Sequence, residues 1–317
     1  MDTSVLFKYR SVTACMKASY DLITANIISL IKKTWWATLL LAFFVALTLY
    51  FMMPNKALHD WGLENPWSSY IIQTMVYLTT WLAVYVYRAA IWSWINHLSF
   101  KTNLIRNTIV CLIFQVIILL IIGESSGIQT FFLEQTAHAA NTGVTSASPD
   151  ATAQAVSDGA SYASTMAICA LLGFVNFIIL MLVFVPFNHV LPQIMLKNKD
   201  EKWEIWKSIK TGYHHFGSIF KMVFLGAIMM GIIISIISIP LFILTWAQLT
   251  AQLGALDGDP LGLPSFFPLL VIIAFTLIFF IFLYIYSWLT ISYAFLFGSN
   301  QTKDYERLER MKEEKNL

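Results

Sequence analysis

Residues 268–298 read PLLVIIAFTLIFFIFLYIYSWLTISYAFLFG, without one charged side chain. A helix that crosses the hydrocarbon of a bilayer needs about 20 mostly apolar residues. This stretch is longer, and between Pro268 and Gly298 it has no Gly, Pro, Asn or Asp that would turn a hairpin. We therefore expect one tilted membrane helix here.

Five more segments have the same apolar character, at residues 34–53, 68–94, 107–122, 162–187 and 222–249. The composition agrees, because 58% of the 317 residues are hydrophobic and 12% are charged. A soluble domain usually carries about 25% charged residues. The sequence thus predicts an all-α polytopic membrane protein with about six transmembrane helices.

The distribution of lysine and arginine predicts the orientation. These residues gather at 1–33, at 95–106, at 188–221 and at 303–317, whereas the other three connections hold only Lys56. Because cytoplasmic flanks are enriched in Lys and Arg, we expect both termini in the cytoplasm. The predicted domains are a cytoplasmic segment at 1–33, a six-span membrane domain at 34–302 and a cytoplasmic tail at 303–317.

Two of the cytoplasmic segments have apolar residues at spacings of three and four, beside lysines. The positions are Val12, Met16, Tyr20, Ile23, Ile27 and Ile31 in the first, and Trp203, Trp206, Ile209, Tyr213, Phe216 and Phe220 in the second. We expect two interfacial amphipathic helices, one within 1–33 and one within 188–221. Each leads into a pair of spans, which suggests a weak parallel duplication.

The exterior connection at residues 123–161 has no Lys or Arg and is rich in Ala, Ser, Thr and Asn. Its polarity predicts a mobile loop. Ser148-Pro149-Asp150 combines a capping residue, a proline suited to a first helical turn and an acid near a helix start. We expect the fourth span to begin there, as a helix in water.

Three pieces of the second basic region resemble a known pattern. They are Pro186-Phe187-Asn188-His189-Val190-Leu191-Pro192, Trp203-Glu204-Ile205-Trp206-Lys207-Ser208-Ile209-Lys210 and His215-Phe216-Gly217-Ser218-Ile219-Phe220-Lys221. Together they resemble the YciC-like inner-membrane proteins and the membrane domains found beside glycerophosphodiester phosphodiesterases. The resemblance implies a multi-pass protein of the bacterial inner (plasma) membrane, and it transfers no catalytic residue.

Metal and cofactor chemistry find little support in the sequence. The six histidines do not form an H-E-x-x-H helix, and the three cysteines, Cys15, Cys111 and Cys169, have no zinc spacing. Adjacent His214 and His215 would point apart on a helix, one toward water and one toward headgroups. Asp257-Gly258-Asp259-Pro260 is typical of a turn, with too few oxygens for calcium. We expect no metal site, no cofactor, no catalytic residue and three free cysteines.

Polar side chains in or near the spans are the candidate contacts for lipid or substrate. They are Gln73, Tyr77 and Arg88 in the second span, Asn176 in the fourth, and Asn188 and His189 after it. Close helix packing with interhelical hydrogen bonds explains most of them. No Asp or Glu lies inside a predicted span. We expect the Arg88 guanidinium to reach lipid phosphates or a group such as Asn188 by extending toward the interface.

Two functional hypotheses follow. The first is a noncatalytic inner-membrane protein that acts in envelope organisation or as a partner of other membrane proteins. The alternative is a transporter or lipid-handling protein with a polar path between spans two, four and five. The scattered charges and a net charge of +2 argue against nucleic acid as a partner. Membrane lipids are the expected partners, and an enzyme would need a nucleophile and base that the sequence does not pair.

Overall fold

The computed structural model describes residues 3–53, 61–143, 151–197, 204–256, 263–264 and 266–315. In these ranges the regular structure is helical, without a strand. A 3-10 turn, Thr3–Leu6, precedes eight α-helices there: α1 (Val12–Met52), α2 (Pro66–Asn96), α3 (Phe100–Gly143), α4 (Ala151–Leu196), α5 (Ile205–His214), α6 (Phe216–Ile237), α7 (Ile239–Leu256) and α8 (Phe267–Lys315).

Within the described residues, six helical stretches are long and apolar enough to cross a membrane. They are Val12–Met52, Pro66–Asn96, Phe100–Ile121, Ala170–Leu196, Phe216–Ile237 and Phe267–Lys315. The chain is therefore an all-α, multi-pass membrane protein, as the sequence predicts. The last stretch is one continuous helix, so the prediction of a single span at 268–298 is confirmed.

The fifth span is shorter than the sequence suggests. The predicted span at 222–249 is divided between α6, which ends at Ile237, and α7, which begins at Ile239. The division lies two residues before Pro240, whose nitrogen has no hydrogen to donate to the carbonyl one turn earlier. Proline thus separates the span from a second apolar helix.

The exterior connection is more helical than its composition suggests. Instead of a loop throughout 123–161, α3 continues to Gly143 and α4 starts at Ala151. Residues 123–148 contain no proline and several alanines, the best helix former. Ser148, Pro149 and Asp150 lie outside the described residues, and α4 begins directly after them.

The chain divides into two compact units, one of Met1–Thr108 with His189–Leu317 and one of Ile109–Asn188. The second unit contains the ring pair of Phe114 and Phe187, whose centroids are 4.7 Å apart. The first unit is built around α8. Because α1 runs antiparallel to α8, its start packs near the end of α8 and its end packs near the start.

Three contacts mark the register of α1 against α8. The hydroxyls of Ser19 and Ser292 are 2.5 Å apart, and the Trp288 indole donates to the Met16 carbonyl at 2.9 Å. At the other end, Ala46 is buried against Val271 and Phe275. The polar pairs at one end and the apolar cluster at the other hold the two helices together along their length.

Local signals in the sequence set the ends of α1. Ser11 caps its start by accepting a hydrogen bond from the Ala14 amide at 3.3 Å. Met53 leaves the helix in an extended conformation, which a following proline favours. Inside the helix, Asn26 has non-helical dihedral angles, φ −126° and ψ 19°. The first amphipathic segment is therefore continuous with the first span, with one kink.

The second amphipathic segment forms its own helix, α5, with two distinct faces. Ser208 and Gly212 are buried against the protein, whereas Trp206 is 83% exposed and Tyr213 47% exposed. Trp203 lies outside the described residues. The placement of this aromatic face in a headgroup zone stays a prediction.

Candidate functional site

Five segments of the first unit meet at one end, which we call the basic end because it carries many of the lysines and arginines. The segments are residues 3–11, residues 96–107, residues 189–197, residues 204–218 and residues 295–304. Most helix ends in membrane proteins lie in water or headgroups. Here the polar groups are instead bonded to one another.

Arg106 is the most buried charged side chain of this end, with 2% exposure. Its Nη1 donates to the carbonyls of Ile194 at 3.2 Å and Lys197 at 2.7 Å, where α4 ends. The last carbonyls of a helix have no partner within it and carry the negative end of the helix dipole. The guanidinium therefore caps α4.

A pair of amides extends this cap. Asn96 donates to the side-chain oxygen of Asn103 at 2.8 Å and to the Met195 carbonyl at 2.7 Å, and Asn103 donates back to Asn96 at 3.0 Å. Between them the chain turns at His97, which has a positive φ of 55°, a conformation to which histidine is comparatively tolerant. The turn between α2 and α3 is thus tied to the end of α4.

Two histidines are buried beside this cap. His189 is 2% exposed, and its ring stacks on that of His215 with centroids 6.0 Å apart. His215 Nε2 donates to Oδ2 of Asp304 at 2.7 Å, which joins the hinge between α5 and α6 to α8. The His189 ring is near the Ser208 backbone, but neither ring nitrogen makes a well-formed hydrogen bond to a described residue.

The N-terminal segment closes the basic end against α8. Leu6 is fully buried, and a Cβ placed on Gly298 would lie 2.7 Å from the Leu6 carbonyl carbon. The Arg10 amide donates to Ser299 Oγ, which donates to the Arg10 carbonyl, both at 2.8 Å. The Arg10 guanidinium lies 5.1 Å from the centre of the Phe295 ring. Only glycine permits this approach of two backbones.

A separate feature of the first unit is an apolar groove of about 490 Å³ between α1, α6 and α8. Its α1 wall runs from Tyr20 to Ile31, its α6 wall is formed by Met229 and Ile233, and its floor runs from Phe280 to Trp288 along α8. The surface inside is almost entirely carbon. Tyr20 and Ile31, at the two ends of the α1 wall, are 59% and 39% exposed, so the groove is open on one side.

The candidate residues of the second span do not gather into one site. Gln73 and Tyr77 are exposed, and Gln73 makes its hydrogen bond to Ser69 of its own helix at 3.5 Å. Arg88 is half-buried and donates to the Tyr286 hydroxyl of α8 at 3.5 Å. The arginine therefore contacts the last span.

The remaining candidates divide between the units. Asn176 and Asn188 belong to the second unit, where Asn176 is half-buried and Asn188 donates to the Phe184 carbonyl of its own helix at 2.9 Å. His189 belongs to the first unit and joins the histidine pair. A polar path between spans two, four and five stays a prediction.

The glycines of the fifth span differ in how closely they approach α8. A Cβ on Gly226 would lie 2.6 Å from a methyl carbon of Leu289, which places α6 directly on α8. A Cβ on Gly231 would instead meet nothing within 4 Å. Close packing of α6 on α8 therefore occurs at Gly226 and not at Gly231.

No group of three His, Cys, Asp or Glu side chains among the described residues could hold a metal ion. Asp257 and Asp259 lie outside the described ranges. Cys15 and Cys111 are buried, and neither forms a disulfide with a described residue. The rings of His214 and His215 are in contact, with centroids 5.1 Å apart, so the expectation that they point apart is wrong. His215 is also buried and bonded to Asp304, so it faces neither water nor headgroups.

Sequence reasoning missed four components of the basic end: Arg106, the Asn96 and Asn103 pair, the His215 contact with Asp304, and Gly298. One signal was present, since Asn103, Arg106 and Asn107 share one face at the start of an apolar helix. Nothing local marks the contacts of His215 with Asp304 and of Gly298 with Leu6, because these partners are distant in the chain.

Comparison with known proteins finds no match, whether to a family model, to a curated protein or to a solved structure.

Proposed function

We propose that this chain is a noncatalytic multi-pass protein of the bacterial inner membrane, with both termini in the cytoplasm, that acts with other membrane proteins in envelope organisation. The basic end is its working surface. Its relation to YciC-like proteins is part of the proposal and rests on the sequence pattern alone.

The observation that carries this proposal is the use of the polar groups at the basic end. Arg106 is hydrogen-bonded to carbonyls of α4, His215 to Asp304, and Ser299 to the Arg10 backbone. Catalytic and transport sites instead aim polar groups into a cavity where substrate enters. Here they fasten segments to one another, which builds a rigid platform.

The outer side of that platform has groups suited to a partner. Trp206 of α5 is 83% exposed and Tyr305 of α8 is 63% exposed, and aromatic residues are enriched where proteins associate. Beside Trp206, Lys207 and Glu204 form an exposed pair at 3.0 Å. The hydrogen bond from Lys207 holds the pKa of Glu204 below its usual value. This exposed pair adds little stability, so it leaves the face free to rearrange.

A photocrosslinking amino acid at Trp206 or at Tyr305 tests the proposal in intact cells. We expect both positions to crosslink to the same protein, and crosslinkers placed in that protein should capture this chain in return. Leu82, which is 60% exposed in the middle of α2, is the matched control and should give lipid adducts only. Lipid adducts alone at Trp206 and Tyr305 would contradict a partner role.

The groove favours a second function, lipid handling. Its surface suits a hydrocarbon chain better than a polar solute, and it lies between spans one, five and six. The polar path predicted between spans two, four and five is a different route, and its described members Gln73 and Tyr77 are exposed.

A further inference from the structure

The groove between α1, α6 and α8 is long and narrow. Its α1 wall from Tyr20 to Ile31 covers eleven residue steps, which is about 16 Å at the helical rise of 1.5 Å per residue. Trp288 closes one end of the floor with its hydrogen bond to the Met16 carbonyl. A trough of this length with one open side fits a chain that lies along the helices.

The groove is open because α1 and α6 both pack on α8 and contact each other little. Ser19 and Ser292 join α1 to α8, and Gly226 on Leu289 joins α6 to α8. Between these contacts, Ile27 of α1 and Met229 of α6 stay 37% and 39% exposed. All three helices are long and apolar enough to span a membrane, and the open side is where lipid would enter the groove.

Hydrocarbon alone would not make this a site. An acyl chain that moves from the bilayer into an apolar groove gains no hydrophobic free energy, because the lipid interior is equally apolar. Selective binding therefore requires a headgroup contact at one end of the groove. The charged residues beside that end decide which lipid would bind.

Two lysines stand at the end marked by Tyr20 and Trp288. On α1, Lys17 lies three residues before Tyr20 and seven before Thr24, spacings that place all three on one face of the helix. On α6, Lys221 lies eight residues before Met229 and twelve before Ile233, spacings that place them in one row along the helix. Both lysines are exposed, and neither forms an ion pair with a described residue. The neighbouring acid Asp21 is exposed and is not part of the lining.

We propose that this groove binds one acyl chain of an anionic phospholipid, with the phosphate held between Lys17 and Lys221. The lysine ammonium groups attract the phosphate, and the apolar trough holds the chain in a fixed place. This inference goes beyond the partner role and does not depend on it.

The test uses the full-length protein in nanodiscs that contain equal amounts of phosphatidylglycerol and phosphatidylcholine, followed by transfer to detergent and native mass spectrometry. We expect the original protein to retain one phosphatidylglycerol. Lys17→Gln with Lys221→Gln should lower the preference for phosphatidylglycerol by about 30-fold, as expected when two lysines near a phosphate are lost. The matched control is Lys207→Gln with Lys210→Gln, on α5, which should keep the preference.

A second pair of variants tests the trough itself. Ile27→Trp fills it, whereas Ile28→Trp changes the adjacent residue, which is 68% exposed and outside the lining. We expect Ile27→Trp alone to lose the bound lipid. Equal retention of both lipids by the original protein, retained preference in the lysine double variant, or equal binding by the two tryptophan variants would each overturn the proposal. A lipid-free dimer would assign the groove to a second copy and would overturn it too.

Discussion

The two amphipathic segments have similar spacings of apolar residues beside lysines, yet they are fastened differently. Each contains one residue with non-helical dihedral angles, Asn26 at φ −126° and ψ 19° and His215 at φ −97° and ψ 17°. The first segment is held along α8, by the Gly298 and Ser299 contacts with residues 6–10 and by the hydrogen bonds of Ser19 and Met16. The second is held at its hinge, by Asp304.

The surroundings of these two residues, Asn26 and His215, also differ. Asn26 is exposed and donates only to the Leu22 carbonyl of its own helix, at 3.0 Å. In the second segment the hinge residue His215 is buried, and the helix before it, α5, has Trp206 exposed. The comparison shows that an apolar stripe with lysines specifies a helix and its faces. Contacts with α8 then determine which residues of that helix are held in place.

The comparison requires both segments to lie on the same side of the membrane. In a chain without Cys15, Cys111 and Cys169, Thr13→Cys and Tyr213→Cys should resist an impermeant thiol reagent in intact cells and react after permeabilisation. Glu64→Cys, in the first exterior connection, is the control and should react from outside. Labelling of only one of the two segments from outside would end the idea of a parallel duplication.

The anchor of the first segment should be the more costly to remove. Gly298→Ala places a methyl group on the Leu6 backbone, so we expect a loss of about 1–3 kcal/mol in the free energy of unfolding. Gly231→Ala is the matched control, since its Cβ meets open space. It should gain up to about 1 kcal/mol from helix propensity. Thermal unfolding in detergent measures both changes, and equal stability of the two variants would show that residues 3–10 are not fastened there.

The hydrogen bond between His215 and Asp304, which holds the second segment, is suited to a double-mutant cycle. His215→Ala and Asp304→Ala should each destabilise the protein, with a coupling of about 1–2 kcal/mol because the hydrogen bond involves a carboxylate. The same cycle with His214→Ala should show no coupling, since the exposed His214 makes only a ring contact with His215. Coupling of Asp304 with His214 but not with His215 would show that His214, and not His215, holds the second segment to α8.

The free hinge should show the smallest effect. Asn26→Ala replaces an exposed residue of modest helix propensity, so we expect a stabilisation of up to about 0.7 kcal/mol. Circular dichroism during thermal unfolding measures it. A loss as large as that of His215→Ala would mean that Asn26 is fastened to a partner as His215 is.

The sequence by itself determined the membrane class, and for the first, second and sixth spans it placed the end away from the basic end to within two residues. It did so because hydrophobicity over about 20 residues is a local property that the bilayer reads directly. The division near Pro240 was missed by the prediction of one span at 222–249, although proline acts on its own helix and is visible in the sequence. The helical exterior connection was misjudged, because a polar, alanine-rich stretch can form a helix without an apolar core.

Tertiary structure alone decided the candidate sites. Three contacts join residues 89 or more positions apart in the chain: Arg106 with Lys197, His215 with Asp304, and Gly298 with Leu6. The groove likewise exists only because three helices meet with a space between them. Such contacts depend on how helices pack, and packing selects among many faces that a local apolar pattern leaves equivalent.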